Sequence, residues 1–195
     1  MIKIGLLGDI GSGKSFVAKR FCYPVFNADK EVSNIYKTNK SCFLKLKKKL
    51  PKYVKSYPIK KKELSKAIIE NKKNLKKIIN IVHPIVNKRM KNFLKKNIKS
   101  KMVILDIPLL IENKINDKNF ILIFVDAKRQ KINKRLKKRT NYNNKITDNF
   151  RKLQKPLTLK KNLSDYIIKN NFKFSTVKKN VKLIKYQILN ERNST

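Results

Sequence analysis

The 195-residue chain carries 51 Lys and Arg against 12 Asp and Glu, a formal charge of +39, with 41% hydrophobic and 9% aromatic residues. That composition belongs to one folded domain with a real core and not to a disordered chain. No run reaches the roughly 18 apolar residues of a membrane span, no signal peptide is recognisable, and two cysteines build neither a disulfide framework nor a zinc finger; the expectation is a cytoplasmic protein with Cys22 and Cys42 as free buried thiols.

Met1 to Leu7 is an apolar stretch of strand character, and the apolar spacing of Phe16 to Phe21 suits a helix. Between them stands Gly8-Asp9-Ile10-Gly11-Ser12-Gly13-Lys14-Ser15, which fits G-x-x-x-x-G-K-[ST] in its strand–loop–helix setting. All 4 glycines of the chain, Gly5, Gly8, Gly11 and Gly13, lie in this opening segment, so the backbone there needs positive φ or close approach to a ligand. Successive N–H groups at a helix N-terminus form a concave nest for phosphate oxygens. Lys14 is expected at the β/γ-phosphates of a nucleoside triphosphate, and the Ser15 hydroxyl in the coordination shell of Mg²⁺.

Pro24 to Asp29 predicts a short second strand. Asp29 at its end is either a base that accepts a proton from an attacking hydroxyl or the N-cap of a helix over Lys30 to Tyr36. The basic stretch from Leu44 to Lys62 reads as the exposed edge of an inserted helical lobe. Leu64 to Asn97 predicts lysine-faced amphipathic helices. Within them His83, the single histidine, precedes Pro84; an isolated imidazole makes no metal site.

Lys101 to Asp106 is a β-rich run ending in an acid, the pattern that holds Mg²⁺ directly or through water, so Asp106 is the expected metal carboxylate. Phe120 to Asp126 is continuously apolar, as in a parallel sheet covered on both faces, with Asp126 expected to cap the next helix. A GTPase is excluded because D-x-x-G cannot occur after Gly13 and Asn113-Lys114-Ile115-Asn116 lacks the final carboxylate of N-K-x-D. A protein kinase is excluded because D-F-G is absent.

Arginine is scarce in this lysine-rich chain: Arg20, Arg89, Arg129, Arg135, Arg139, Arg151 and Arg192. The planar fork grips phosphate bidentately. Arg135 and Arg139 are spaced to share one helical face, either as phosphate ligands beside a lid or as a solvated basic face. The polar stretch from Thr140 to Asp148 resembles a lid hinge. The lysines are scattered through every segment beside abundant Asn and Ile, which points to AT-rich compositional drift over a dedicated nucleic-acid surface.

Taken together, the loop, Asn27-Ala28-Asp29, Val82-His83-Pro84, Ile107-Pro108-Leu109-Leu110-Ile111-Glu112, Arg135-x-x-x-Arg139 and Ser164 to Asn170 resemble the bacterial dephospho-CoA kinases. The likeness runs from Ile2 to about Asn190. It implies transfer of the ATP γ-phosphate to the ribose 3′-hydroxyl of dephospho-CoA, the last step of coenzyme A synthesis. By the same resemblance Gly11 to Phe16 bind ATP phosphates and Asn170 lies near the ATP base. Asp29 is the base, Arg135 and Arg139 are lid arginines, and the region of His83, Leu109, Leu110 and Glu112 receives the CoA substrate. Three residues depart from the family pattern: Asp9 stands where a small residue is usual, Phe16 where Thr is common, and Asn27 where the first acid of Asp-Ala-Asp is expected. The implied fold is a P-loop α/β domain over residues 1–195, a mainly parallel sheet flanked by helices, with a helical CoA lobe near 40–100 and a lid near 135–160. The implied partners are ATP, dephospho-CoA and Mg²⁺, with no membrane and no nucleic acid; nothing specifies an oligomer. Another small-molecule kinase, or a basic nucleic-acid-binding P-loop module, remains compatible with the residues alone.

Overall fold

The computed structural model describes residues 1–116, 119–140 and 142–191, so Arg192 lies outside the described residues. In chain order the elements are β1 (Ile2–Leu7), α1 (Lys14–Arg20), β2 (Val25–Asn27), α2 (Ala28–Thr38), α3 (Lys40–Lys49), α4 (Lys61–Glu70), α5 (Lys73–Lys96), β3 (Met102–Asp106), β4 (Phe120–Asp126), α6 (Arg129–Lys137), α7 (Asn144–Arg151), α8 (Leu157–Asn162), β5 (Tyr166–Lys169) and α9 (Phe174–Glu191). They fall into two compact units, one of residues 1–27, 97–142 and 151–195, the other of residues 28–96 and 143–150.

The first unit holds a five-stranded sheet of order β2-β3-β1-β4-β5, parallel throughout. Its middle strands are apolar because both faces are covered: every residue of β3 is buried, and Ile4, Ile104 and Ile123 have no exposed surface. Alternate side chains of β1 (Ile2, Ile4, Leu6) join Val17 and Phe21 of α1 and Val177, Val181, Ile184 and Ile188 of α9 in one core. On the opposite face, Gly5 lets the sheet pack closely, since a Cβ there would stand 2.7 Å from the Leu110 side chain. Edge strand β5 was not predicted as a strand; it is anchored by Asp165, whose carboxylate accepts from Leu122 N–H at 2.7 Å.

The second unit is helical. Leu75, Ile78, Val82, Val86 and Met90 form the buried stripe of α5, against which α2, α3 and α4 pack. Pro84 sits inside this 24-residue helix yet is exposed, and the carbonyl it leaves unpaired belongs to exposed Asn80 on the solvent side. Asn39 caps α3 by accepting from Cys42 N–H at 2.7 Å. Cys42 is buried, and burial pushes its thiol up to about 11. Cys22, expected to be buried, is exposed: it follows α1 at φ 58°, outside the core that Phe21 fills. No helix among the described residues is long and apolar enough to cross a membrane.

Candidate active site

The phosphate-loop motif sits at the C-terminal end of β1, where the chain must turn sharply into α1. Two glycines make the turn possible. Gly8 has φ 137°, and a Cβ there would meet the Val125 carbonyl oxygen at 2.7 Å; Gly13 has φ 94°, and its Cβ would meet Asn170 Nδ2 at 2.3 Å. Gly13 is the left-handed residue at the head of α1, and its carbonyl accepts from Phe16 and Val17 N–H at 3.0 Å each. Lys14 is buried; its Nζ spans the loop and donates to Gly8 O at 3.0 Å and Asp9 O at 2.8 Å. Ser12 N–H donates to the same Asp9 carbonyl at 3.1 Å.

Three polar side chains converge beside the loop. Asp106, buried at the end of β3, receives the Ser15 hydroxyl at 2.5 Å and Asn27 Nδ2 at 2.6 Å, both on Oδ2. The topology dictates this meeting, because β2 and β3 pair in parallel with Asn27 opposite Asp106. Open α/β sheets bind ligands at such carboxyl ends. The departure at Asn27 has a local effect: an amide donor now faces Asp106 where a second carboxylate would repel it.

Asn170, just past β5, buries an amide that is used at both ends. Its Nδ2 donates to Ser12 O at 2.7 Å and its Oδ1 accepts from Phe172 N–H at 2.8 Å, tying the segment after β5 to the phosphate loop. Phe172 is held at φ 67°, and the Arg135 guanidinium lies 4.4 Å from its ring centroid. Arg139 does not share a helical face with Arg135, because α6 ends at Lys137 and Arg139 stands in the turn beyond, its N–H on Leu136 O. Neither does Asp126 cap α6: Lys128 holds that position, and Asp126 instead accepts from Lys161 Nζ at 3.3 Å. The Phe16 ring packs against Arg20, whose guanidinium lies 4.3 Å from its centroid, and edge-to-face against Phe174 at 6.4 Å.

Leu110 is completely buried and serves the core beneath Gly5, while Leu109 is half-buried. Glu112 pairs with Lys160 at 2.7 Å, the lysine only 1% exposed, and also accepts from Lys155 N–H at 2.9 Å. In the second unit, Asp29 is exposed in the first turn of α2, which begins one residue before it, so it is not the N-cap. His83 is half-buried within α5, and burial holds its imidazole below the usual 6.5. Among the described residues no cluster of three or more His, Cys, Asp or Glu exists.

Two pairs escaped the sequence reading. Asp9, inside the loop, is gripped by Arg151 through Nε to Oδ1 and Nη2 to Oδ2, each at 3.3 Å. Scarcity had marked Arg151 without indicating its partner. Lys160 carries no signal at all, being one lysine among dozens until the fold buries it.

A glycine-rich turn from a parallel strand into a helix, a lysine across that turn, and a serine with a carboxylate on the adjoining strand end define the P-loop kinase fold. A sequence model of the dephospho-CoA kinase family matches residues 2–175. The dephospho-CoA kinase of Wolbachia sp. subsp. Brugia malayi (strain TRS) is 33% identical over 170 residues, 85% of this chain and 87% of that protein. A solved Thermus thermophilus structure, 24% identical, covers 95% of this chain and 97% of its own at a TM-score of 0.75. A Campylobacter jejuni dephospho-CoA kinase, 20% identical, covers 95% and 96% at 0.64. These two structures bear on the fold. The chain belongs to the dephospho-CoA kinase family and is an ATP-dependent kinase that phosphorylates dephospho-CoA to coenzyme A.

Proposed function

We propose that the γ-phosphoryl group of ATP passes to the ribose 3′-hydroxyl of dephospho-CoA at the C-terminal edge of the sheet, with Gly8, Gly11, Ser12, Gly13, Lys14, Ser15 and the Phe16 backbone around the ATP phosphates. The reading rests on one observation above all, the convergence of Ser15, Asn27 and Asp106 beside the phosphate loop. A hydroxyl and a carboxylate are hard oxygen donors, and Mg²⁺ needs only one or two carboxylates when phosphate oxygens and water complete its shell. Ser15 and Asp106 therefore suit the ion, and Asn27 orients the Asp106 carboxylate. Mg²⁺ supplies charge neutralisation on the transferring phosphoryl group.

Little covalent chemistry is left to the side chains, and catalysis comes from positioning and charge. Lys14 draws negative charge from the phosphates. Arg135 and Arg139 supply cations from the segment near 135–160, which we read as the lid. Asp29, two residues past the end of β2, accepts the proton of the attacking hydroxyl. For the acceptor, the candidate residues are His83 on the helices near 40–100 and, in the first unit, Leu109 and Glu112, with Leu110 buried as packing in that unit. Asn170 acts on ATP through the loop it braces.

The test is turnover of ATP with dephospho-CoA by wild type and Lys14→Ala, alongside a panel of nucleotides and other small hydroxyl acceptors. Removing the Lys14 charge is expected to cost on the order of 10²-fold in kcat, about 2.7 kcal/mol of transition-state stabilisation. Near-normal turnover in the variant, or faster phosphorylation of another acceptor, overturns the reading.

A further inference from the structure

The phosphate loop of this chain contains a charge that a phosphate site does not want. Of the 12 acidic residues in a chain of net charge +39, one, Asp9, stands inside the loop that is to receive polyphosphate. Its side chain is 7% exposed, so water does little to screen it. It sits at the hub of the loop: its carbonyl takes Ser12 N–H and Lys14 Nζ, and its Oδ1 takes the Ile10 N–H at 2.6 Å. Opposite is Arg151, itself only 19% exposed and the last residue of α7, presenting Nε and Nη2 to the two carboxylate oxygens. Fork-to-fork geometry of this kind neutralises a carboxylate and fixes its orientation together.

We propose that Arg151 is a positioning residue for nucleotide binding: it cancels the Asp9 charge and holds that carboxylate aside, so that the pair, and neither member alone, sets the affinity of the loop for ATP phosphates. The inference rests on the reading that residues 8–15 hold those phosphates. Without Arg151, a buried anion adjoins the phosphates and competes with them for the loop amides, beginning with Ile10 N–H. Without Asp9 as well, the loop returns to the uncharged composition that position 9 usually has. A lysine at 151 restores the charge but not the fork.

The experiment is a double-mutant cycle on the full chain. Arg151→Met is expected to raise KM for ATP, and Kd for a fluorescent ATP analogue, by about tenfold or more, while KM for dephospho-CoA stays within twofold. Adding Asp9→Asn to Arg151→Met should bring both ATP constants back to within about threefold of wild type. A tenfold rescue corresponds to a coupling of about 1.4 kcal/mol. Arg151→Lys should fall between wild type and Arg151→Met. Should Arg151→Met prove too unstable to assay, Arg151→Lys decides, since loss of the fork must weaken binding of the ATP analogue while KM for dephospho-CoA stays within twofold, and ATP binding equal to wild type overturns the proposal. The proposal is overturned if Arg151→Met leaves ATP binding unchanged, if Asp9→Asn fails to rescue it, or if KM rises equally for both substrates as a general structural defect would require. Lys14→Ala in the same assays separates the two levels: if it binds and turns over ATP normally, the reading of the loop itself fails; if it fails while positions 9 and 151 show no coupling, only the present inference does.

Discussion

Replacing Gly13 by alanine tests whether the phosphate loop and the segment after β5 are one mechanical unit. Two costs are legible. The residue sits at φ 94°, where a β-carbon costs about 1–2 kcal/mol. The new methyl would also lie 2.3 Å from Asn170 Nδ2, which must swing away and abandon its 2.7 Å bond to the buried Ser12 carbonyl. A buried group left unpaired costs about 1–3 kcal/mol. The sum is roughly 2–5 kcal/mol, and for a chain of this size the melting temperature moves about 2–4 °C per kcal/mol, so thermal denaturation should shift down by roughly 4–20 °C. The discriminating comparison is Gly13→Ala in an Asn170→Ala background. With no amide to displace, only the backbone cost remains, and the added loss should shrink to about 1–2 kcal/mol. If Gly13→Ala melts within a degree or two of wild type, or costs the same with and without the Asn170 amide, the steric argument is wrong.

Three further outcomes follow from the geometry. Asn27→Asp sets a second carboxylate on Asp106 Oδ2, where the amide now donates at 2.6 Å; the lost hydrogen bond and the like charges should lower the stability of the metal-free protein by about 1–3 kcal/mol in a denaturant titration, and an unchanged stability contradicts the contact. Glu112→Gln strands the Lys160 ammonium in the interior at about 3–5 kcal/mol, readable by denaturant titration, whereas Glu112→Gln with Lys160→Met should recover most of that loss. Burial lowers the folded-state pKa of His83 below its ordinary 6.5, so the unfolded chain binds the extra proton first. The contribution of His83 is complete above pH 6.5 and declines as pH falls toward the folded value; His83→Asn should flatten that part of the stability profile.

What could be read in advance follows burial. The residues of β3 and β4 stood out because strands covered on both faces are written in unbroken apolar runs, and the loop stood out because only glycine serves its backbone. β5 did not, because an edge strand of four residues with Ile167 and Lys169 exposed leaves too short a pattern to mark it. The end of α6 was also missed: the i, i+4 spacing of Arg135 and Arg139 predicts a shared face, but nothing local announces that the helix stops at Lys137. Ion pairs were the least legible. Asp9 with Arg151 and Glu112 with Lys160 are 142 and 48 positions apart, and only the folded chain selects one lysine or arginine from the rest.

The parallel sheet also sets a timetable for synthesis. β1 forms the middle of the sheet, yet Ile2 pairs with Met102 and Lys3 with Phe120, so both neighbours are translated about a hundred residues later. At roughly 5–20 residues per second the apolar segment Ile2–Leu7 waits on the order of 5–20 s for either partner. Most of what emerges meanwhile is the helical unit of residues 28–96, whose exposed positions are crowded with lysine. Net charge far from zero opposes association between copies, so the segment that emerges during this wait carries the charge that disfavours pairing of one unpaired strand with another.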